Sequence, residues 1–248
     1  MKTEKFSLFR AYEIKCRRFF EEGMDATFIV VGVHGFAGDK DSSMLKRLAR
    51  RVTEAGGELV CFDFPSHGES PVGEDMLTTK NCIEDLARVC GHAREKYPLC
   101  KKAIFATSFG GYVSILAREQ LSDFTYVLRA PAVTMPKILT ETVLKIPREE
   151  FSDLGVIECG FERKMNLPFS FLTDLESQPS AESCHIDSPF LVIHGDADDV
   201  VPPEDVFTFC EKQECSVLEI IKGADHRFKN PGEIDAVIEK TMDFLENN

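Results

Sequence analysis

Residues 102–112 read Lys102-Ala-Ile-Phe-Ala-Thr-Ser-Phe-Gly-Gly-Tyr112. The first five, Lys102 followed by the apolar Ala-Ile-Phe-Ala106, predict a strand. Gly110 to Gln120 is mostly apolar and long enough for a helix. Ser108 falls on the turn between them. A serine on a sharp strand-to-helix turn has its hydroxyl lifted clear of the sheet. The next backbone N–H, from Phe109, then faces the helix N-terminus, where an oxyanion is stabilised. A serine that only caps a buried helix would leave the same residues. The segments on either side have to decide between the two.

Working outward, the same rhythm repeats. Phe28–Val33 is a β-branched run ending near glycine, and Glu58–Asp63 is a second strand stopped by Pro65. Met44, Leu45, Leu48, Ala49, Val52 and Ala55 recur at helical spacing, and Gly56-Gly57 ends that helix. Ile83, Leu86, Cys90, Ala93 and Tyr97 mark another helix, closed by Pro98. Tyr126–Ala130 and Pro189–His194 read as strands, as does Val217–Ile221, with helices over 204–212 and at the C-terminus. Phe6–Arg10 and Ile14–Phe20 fit an antiparallel hairpin at a sheet edge. Strands alternating with helices imply an α/β chain: a mostly parallel sheet covered by helices on both faces. From Ala132 to Asp187 the alternation breaks, so 132–187 reads as an insertion on a core of 1–131 and 188–248.

Composition narrows the class. The chain has 248 residues, a formal charge of −13, 43% hydrophobic residues and 9 cysteines. That length suits one α/β domain, and that hydrophobic content suits a packed core. The acidic balance argues against nucleic acid or an anionic membrane as partner. The cysteines are odd in number and lack CxxC spacing, so we expect buried thiols in a reducing cytoplasm. We expect no signal peptide, and the longest apolar stretch is far short of the ~20 residues of a membrane span. The sequence holds no metal-ligand cluster, no GxGxxG and no Walker loop, so no cofactor is expected.

In open α/β sheets, sites form beyond the carboxyl ends of the strands. Those ends carry His34-Gly35-Phe36, Ser108, Asp198 and His226. Three aspartates (196, 198 and 199) follow the strand 189–194. Asp198 suits a carboxylate turned inward to orient a histidine, while the others suit turn and cap positions. His226 lies in Gly223-Ala-Asp-His226 after the next strand. Neutral imidazole is well suited to take a hydroxyl proton near neutral pH. Gly35 allows close backbone approach, and the Phe36 N–H is the candidate second oxyanion donor beside Phe109. His34 reads as a loop-shaping hydrogen-bonder that also borders the substrate. His67 reads as a turn residue, His194 as a satisfied core residue, and His92 and His185 as surface.

Val33-His-Gly-Phe36, Asp63-Phe-Pro-Ser-His-Gly-Glu-Ser70, Thr107-Ser-Phe-Gly-Gly111, His194-Gly-Asp-Ala-Asp198 and Gly223-Ala-Asp-His226 occur in this order. In this set the chain resembles the α/β-hydrolase superfamily over nearly its full length. Within it, the chain is similar to the small intracellular esterase branch that includes cinnamoyl and feruloyl esterases. The resemblance implies an α/β-hydrolase fold with a short cap insertion after the sixth strand. It also implies a Ser108-Asp198-His226 triad, an oxyanion hole at Phe36 and Phe109, and no cofactor. The chain departs at Ala106, where the family usually has glycine. The implied activity is hydrolysis of a small-molecule carboxylic ester, small to medium and in some cases aromatic. Other readings are an aminopeptidase-like amidase, with Glu149, Glu150 and Asp153 available to hold a free amine, and a thioesterase or acyltransferase. From a different class comes a non-catalytic hydrolase-like binding protein. Phe161, Phe169 and Phe171 in the insertion are expected to line an acyl pocket, or else to anchor the insertion. Asp153 and Asp174 either bind a substrate hydroxyl or are solvated.

Overall fold

The computed structural model describes residues 1–160 and 163–248. The chain opens with β1 (Lys2–Phe9) and β2 (Glu13–Phe20), paired antiparallel as an edge hairpin. Then follow β3 (Phe28–Val33), α1 (Ser43–Glu54), β4 (Glu58–Phe62), α2 (Thr79–Lys96), β5 (Lys101–Thr107), α3 (Phe109–Leu116) and β6 (Thr125–Arg129). Next come α4 (Met135–Ile138), a π-helical turn (Leu139–Leu144), α5 (Arg148–Leu154), β7 (Val156–Cys159), β8 (Met165–Pro168) and α6 (Phe169–Glu176). The chain closes with β9 (Phe190–Gly195), α7 (Pro203–Glu211), β10 (Ser216–Ile221) and α8 (Glu233–Asn247).

Eight strands form one sheet in the order β1-β2-β4-β3-β5-β6-β9-β10. The pairings from β4 to β10 are parallel, and β1-β2 and β2-β4 are antiparallel. This is the mostly parallel sheet, helix-covered on both faces, that the alternation predicts. The central strands are β-branched and apolar because both their faces are buried. Against one face, α1 and α8 pack Leu45, Leu48, Val52, Val237, Ile238 and Met242. Against the other, α2, α3 and α7 pack Leu86, Val89, Val113, Ile115, Val206 and Phe209. Side chains cap two of these helices: Ser42 accepts from Leu45 N at 3.3 Å and Thr78 from Asn81 N at 3.1 Å. Each such cap stabilises its helix by about 1 kcal/mol.

Between β6 and β9 the chain leaves the sheet. Here β7 and β8 form a separate antiparallel pair. Phe151, Leu167, Phe171, Leu172 and Leu175 from this segment join the core cluster on the α2–α3 face. The helix expected over 110–120 is shorter: α3 ends at Leu116, and a 3₁₀ turn (Arg118–Leu121) tightens its exit toward β6. Among the described residues, no helix is long and apolar enough to cross a membrane.

Candidate active site

Ser108 sits between β5 and α3 with φ 51° and ψ −115°. Such backbone costs a non-glycine residue on the order of 1–3 kcal/mol, so the surroundings must hold it. They do so through three backbone bonds. Ser108 N donates to Arg129 O at 2.9 Å, and Ser108 O accepts from Tyr112 N and Ala132 N, each at 3.1 Å. Glycines let the turn approach its neighbours: a Cβ at Gly110 would lie 2.5 Å from His34 O, and one at Gly35 would lie 3.3 Å from Ser108 Cβ. Ala106, in place of the usual glycine, is fully buried and keeps its place in the ladder opposite Val33 and Leu128. Its methyl leaves the turn intact.

Three side chains from three separate strand ends meet here. His226 Nε2 lies 3.1 Å from Ser108 Oγ, and His226 Nδ1 lies 2.7 Å from Asp198 Oδ2. Asp198 is 6% exposed. Its second oxygen accepts from Val200 N at 2.9 Å and Val201 N at 2.8 Å. Burial alone would raise the Asp198 pKa. The hydrogen bond and charge of His226, with the two amides, outweigh burial and bring it below the usual carboxylate value. Asp198 is therefore an anion with every near partner a donor. Asp196 is exposed and accepts from Gly223 N, so it pins a turn. His194 is fully buried and burial lowers its pKa. Its Nε2 lies 3.2 Å from Val201 O, while its Nδ1 has no hydrogen-bond partner among the described residues. The expectation of a satisfied core histidine is thus only half met. His92 is half-buried against Phe6, and His185 is exposed.

The loops after β3 and β4 are laced together by two histidines. His34 Nε2 accepts from Phe64 N at 3.1 Å, and His67 Nε2 accepts from Ala37 N at 3.0 Å. Their Nδ1 atoms lie 2.8 Å from Gly35 O and Pro65 O. This exchange fixes the backbone around Phe36. Among the described residues, neither Phe36 N nor Phe109 N has an acceptor within the protein. Both amides are free to meet a developing oxyanion. Burial lowers the pKa of His34 from 6.5 to about 4 and that of His67 from 6.5 to about 3. Both act as neutral acceptors. Unfolded, each takes a proton as pH falls below its ordinary value of 6.5, which the folded site refuses until about 4 or 3. Stability is therefore complete above that upper value and declines as pH falls, by at most ~1.4 kcal/mol per unit for each histidine. Urea melts at about pH 7 and about pH 5 should show the lower midpoint at the acid value. Buried Asp85, its pKa raised to about 6, works in the opposite direction over this range, so the histidine share is read by difference: the acid-side loss should shrink in His67→Asn, and an unchanged loss would contradict the neutral-acceptor assignment.

A cavity of about 280 Å³ opens beside Ser108. His34, Gly35 and Phe36 line it from the β3 loop, with Met44 and Leu45 from α1. Met135, Ile138, Val143 and Gly160 line it from the inserted segment. Phe169 and Phe171, expected here, do not. Phe171 is 1% exposed and packs between Phe36 and Phe109, with ring centroids 6.0 Å from each. Phe169 packs on Phe151 beneath the Arg148 guanidinium. Phe161 lies outside the described residues. Phe171 thus joins the insertion to the core and Phe169 packs within the insertion, while aliphatic side chains from α4 and the π turn face the cavity instead. Asp174 accepts from Thr79 N at 2.6 Å, so it caps α2 and is not a hydroxyl binder. Glu149, Glu150 and Asp153 are exposed and do not line the cavity.

One lining residue had no place in the sequence reading. Arg129, the last residue of β6, is 7% exposed and donates from Nη2 to His226 O at 2.8 Å. Its guanidinium stacks over Phe228, 4.7 Å from the ring centroid. Burial lowers its pKa to about 10, against the opposing pull of Asp198 and Asp225. The available signal was an arginine closing an otherwise apolar buried strand. Among the described residues no group of histidine, cysteine or carboxylate side chains is arranged to hold a metal.

The family described as "Serine aminopeptidase, S33" matches residues 25–183, which include Ser108 and end before Asp198. Among solved structures, Est1E from Butyrivibrio proteoclasticus with bound ferulic acid superposes with a TM-score of 0.83 at 19% identity, over 95% of each chain. A putative hydrolase from Agrobacterium vitis S4 gives 0.79 at 19%, over 97% of each. The esterase domain of a Rhodothermus marinus protein gives 0.75 at 15%, over 100% of this chain and 99% of that one. No curated protein matches the chain by sequence. At these identities the structural likenesses speak for a shared fold.

Proposed function

Since this chain belongs to the α/β serine hydrolase family described as "Serine aminopeptidase, S33", we propose that it cleaves carboxylic esters through Ser108, His226 and Asp198. The observation that carries this reading is the unbroken hydrogen-bond chain Ser108 Oγ–His226–Asp198 at 3.1 and 2.7 Å. Ser108 Oγ attacks the acyl carbon while His226 Nε2 takes its proton. Asp198 holds the Nδ1 proton and balances the imidazolium. The Phe36 and Phe109 amides stabilise the oxyanion by ~3–4 kcal/mol per donor. His226 returns the proton to the departing alcohol, leaving an acyl-enzyme. Water, deprotonated by the same imidazole, then releases the acid.

The lining favours an ester over an aminopeptide. A free ammonium needs a carboxylate partner, and among the described residues no acidic side chain lines the cavity. Its volume suits a small to medium acyl group, and the segment over 132–187 serves as the cap that shapes it. The ferulic acid bound by Est1E makes a hydroxycinnamate ester a natural test substrate. The assignment is checked by reacting the protein with a fluorophosphonate and mapping the adduct. Label at Ser108, with faster turnover of p-nitrophenyl or hydroxycinnamate esters than of an aminoacyl p-nitroanilide, is expected. Label elsewhere overturns the nucleophile, and faster anilide turnover overturns the ester. Asp198→Asn should lower kcat by about four orders of magnitude, because the imidazole loses its tautomer. Asp196→Asn should leave kcat nearly unchanged. The reverse pattern would move the acid to Asp196.

A further inference from the structure

Arg129 is a buried cation with no carboxylate at salt-bridge distance among the described residues, although Asp198 and Asp225 act on it from further away. Its Nη2 bonds a carbonyl, His226 O, and its Nε has no partner among the described residues. The nearby carboxylates are engaged elsewhere. Asp198 is held by His226, Val200 N and Val201 N, and Asp225 pairs with Lys229 at 2.8 Å. Burying an unpaired guanidinium costs several kcal/mol, so its retention calls for a reason. The side chain also borders the cavity that holds Ser108 Oγ. Apart from it and Arg227, the described lining is neutral and largely apolar, and no carboxylate faces inward. In a chain of net charge −13, the charged residues that line the cavity among those described are both arginines.

We propose that Arg129 makes this cavity selective for esters that bear an anionic group, a carboxylate or a phosphate. The inference rests on the hydrolase reading above. A guanidinium matches such oxyanions in charge and in planar donor geometry, and at a side chain this deeply buried that contact is strong. The ester carbonyl sits at Ser108 Oγ, and the anion supplies the direct ion pair that Arg129 does not make with any described residue. Attack and release proceed as before, so the anion enters and leaves unchanged.

The test compares mono-p-nitrophenyl adipate with p-nitrophenyl hexanoate, which differ in an acyl-side carboxylate. A second pair, 4-acetoxybenzoate and phenyl acetate, places the anion on the alcohol side. In the unaltered protein the anionic member of at least one pair should have the higher kcat/KM. Whichever pair responds locates the anion in the acyl or the alcohol portion. Arg129→Met should reduce that preference about tenfold or more, chiefly through KM, and Arg129→Lys should restore part of it. Equal losses on charged and neutral members would show that Arg129 only positions His226, and would overturn the proposal. If Arg129→Met does not fold, the unaltered protein still decides: preference for the neutral member of both pairs overturns it. A protein that labels at Ser108 and turns over neutral esters without charge preference defeats this inference alone. Absence of both label and turnover defeats the hydrolase reading instead.

Discussion

Ser108→Ala should lower kcat toward a p-nitrophenyl acyl ester by about four to six orders of magnitude, with His226→Ala close behind. The two losses should not add. In the proposed mechanism Ser108 Oγ and His226 Nε2, 3.1 Å apart, act as one proton-transfer unit, so removing either atom removes the step. Residual turnover reflects the Phe36 and Phe109 amides and substrate binding. Both variants should fold. Ser108 Oγ adds no bond to the core, and His226 keeps its place through its own carbonyl, held by Arg129 at 2.8 Å. Far-UV circular dichroism, urea melts and kcat together check the result. A double variant far slower than either single one would mean that the groups act independently, against the mechanism.

The largest effect on stability is expected at Lys40, and Lys40→Met should cost about 3–5 kcal/mol. Lys40 is 1% exposed, with Nζ 2.8 Å from Asp63 Oδ2 and 2.7 Å from Glu69 Oε2. Asp63 also accepts from the Lys40 and Glu69 amides at 2.8 Å each. Removing the ammonium leaves a buried carboxylate with amide partners alone, and uncompensated buried charge is what makes breaking such a pair costly. Asp63→Leu added to Lys40→Met should recover part of the loss, because replacing both partners with apolar groups strands no charge. Urea midpoints at neutral pH measure both variants. A double variant no more stable than the single one would show that Asp63 is not the source of the cost. The lesion should also reach the site: Asp63 anchors the turn that carries His67, and His67 holds the Ala37 amide beside Phe36.

The strands and their ends could be read from the sequence because their signals are local. A β-branched run such as Phe28–Val33, followed by His34-Gly35, needs no distant partner to be recognised. The order Ser108, Asp198, His226 is legible for the same reason, since each residue follows its own strand. The cavity wall follows a different logic. Whether Phe171 faces substrate or Phe36 depends on how α6 docks, and that is decided by packing between segments far apart in the chain. Local pattern marks Phe171 as apolar and stops there. Arg129 escaped notice because its meaning comes from His226 O and Phe228, roughly a hundred residues away. The reciprocal bonds of His34 and His67 are also contacts between loops, invisible to spacing.

The backbone at Ser108 bears on why a serine is there at all. At φ 51° a glycine would rest with less strain, so folding by itself favours glycine at this position. Ala37, Ser66, Ala130, Lys145 and Phe228 also hold positive φ, so strain alone does not mark a site. What sets Ser108 apart is that the proposed reaction needs its hydroxyl. The substitution that relieves the link also removes the nucleophile, so stability and turnover are opposed at this one residue.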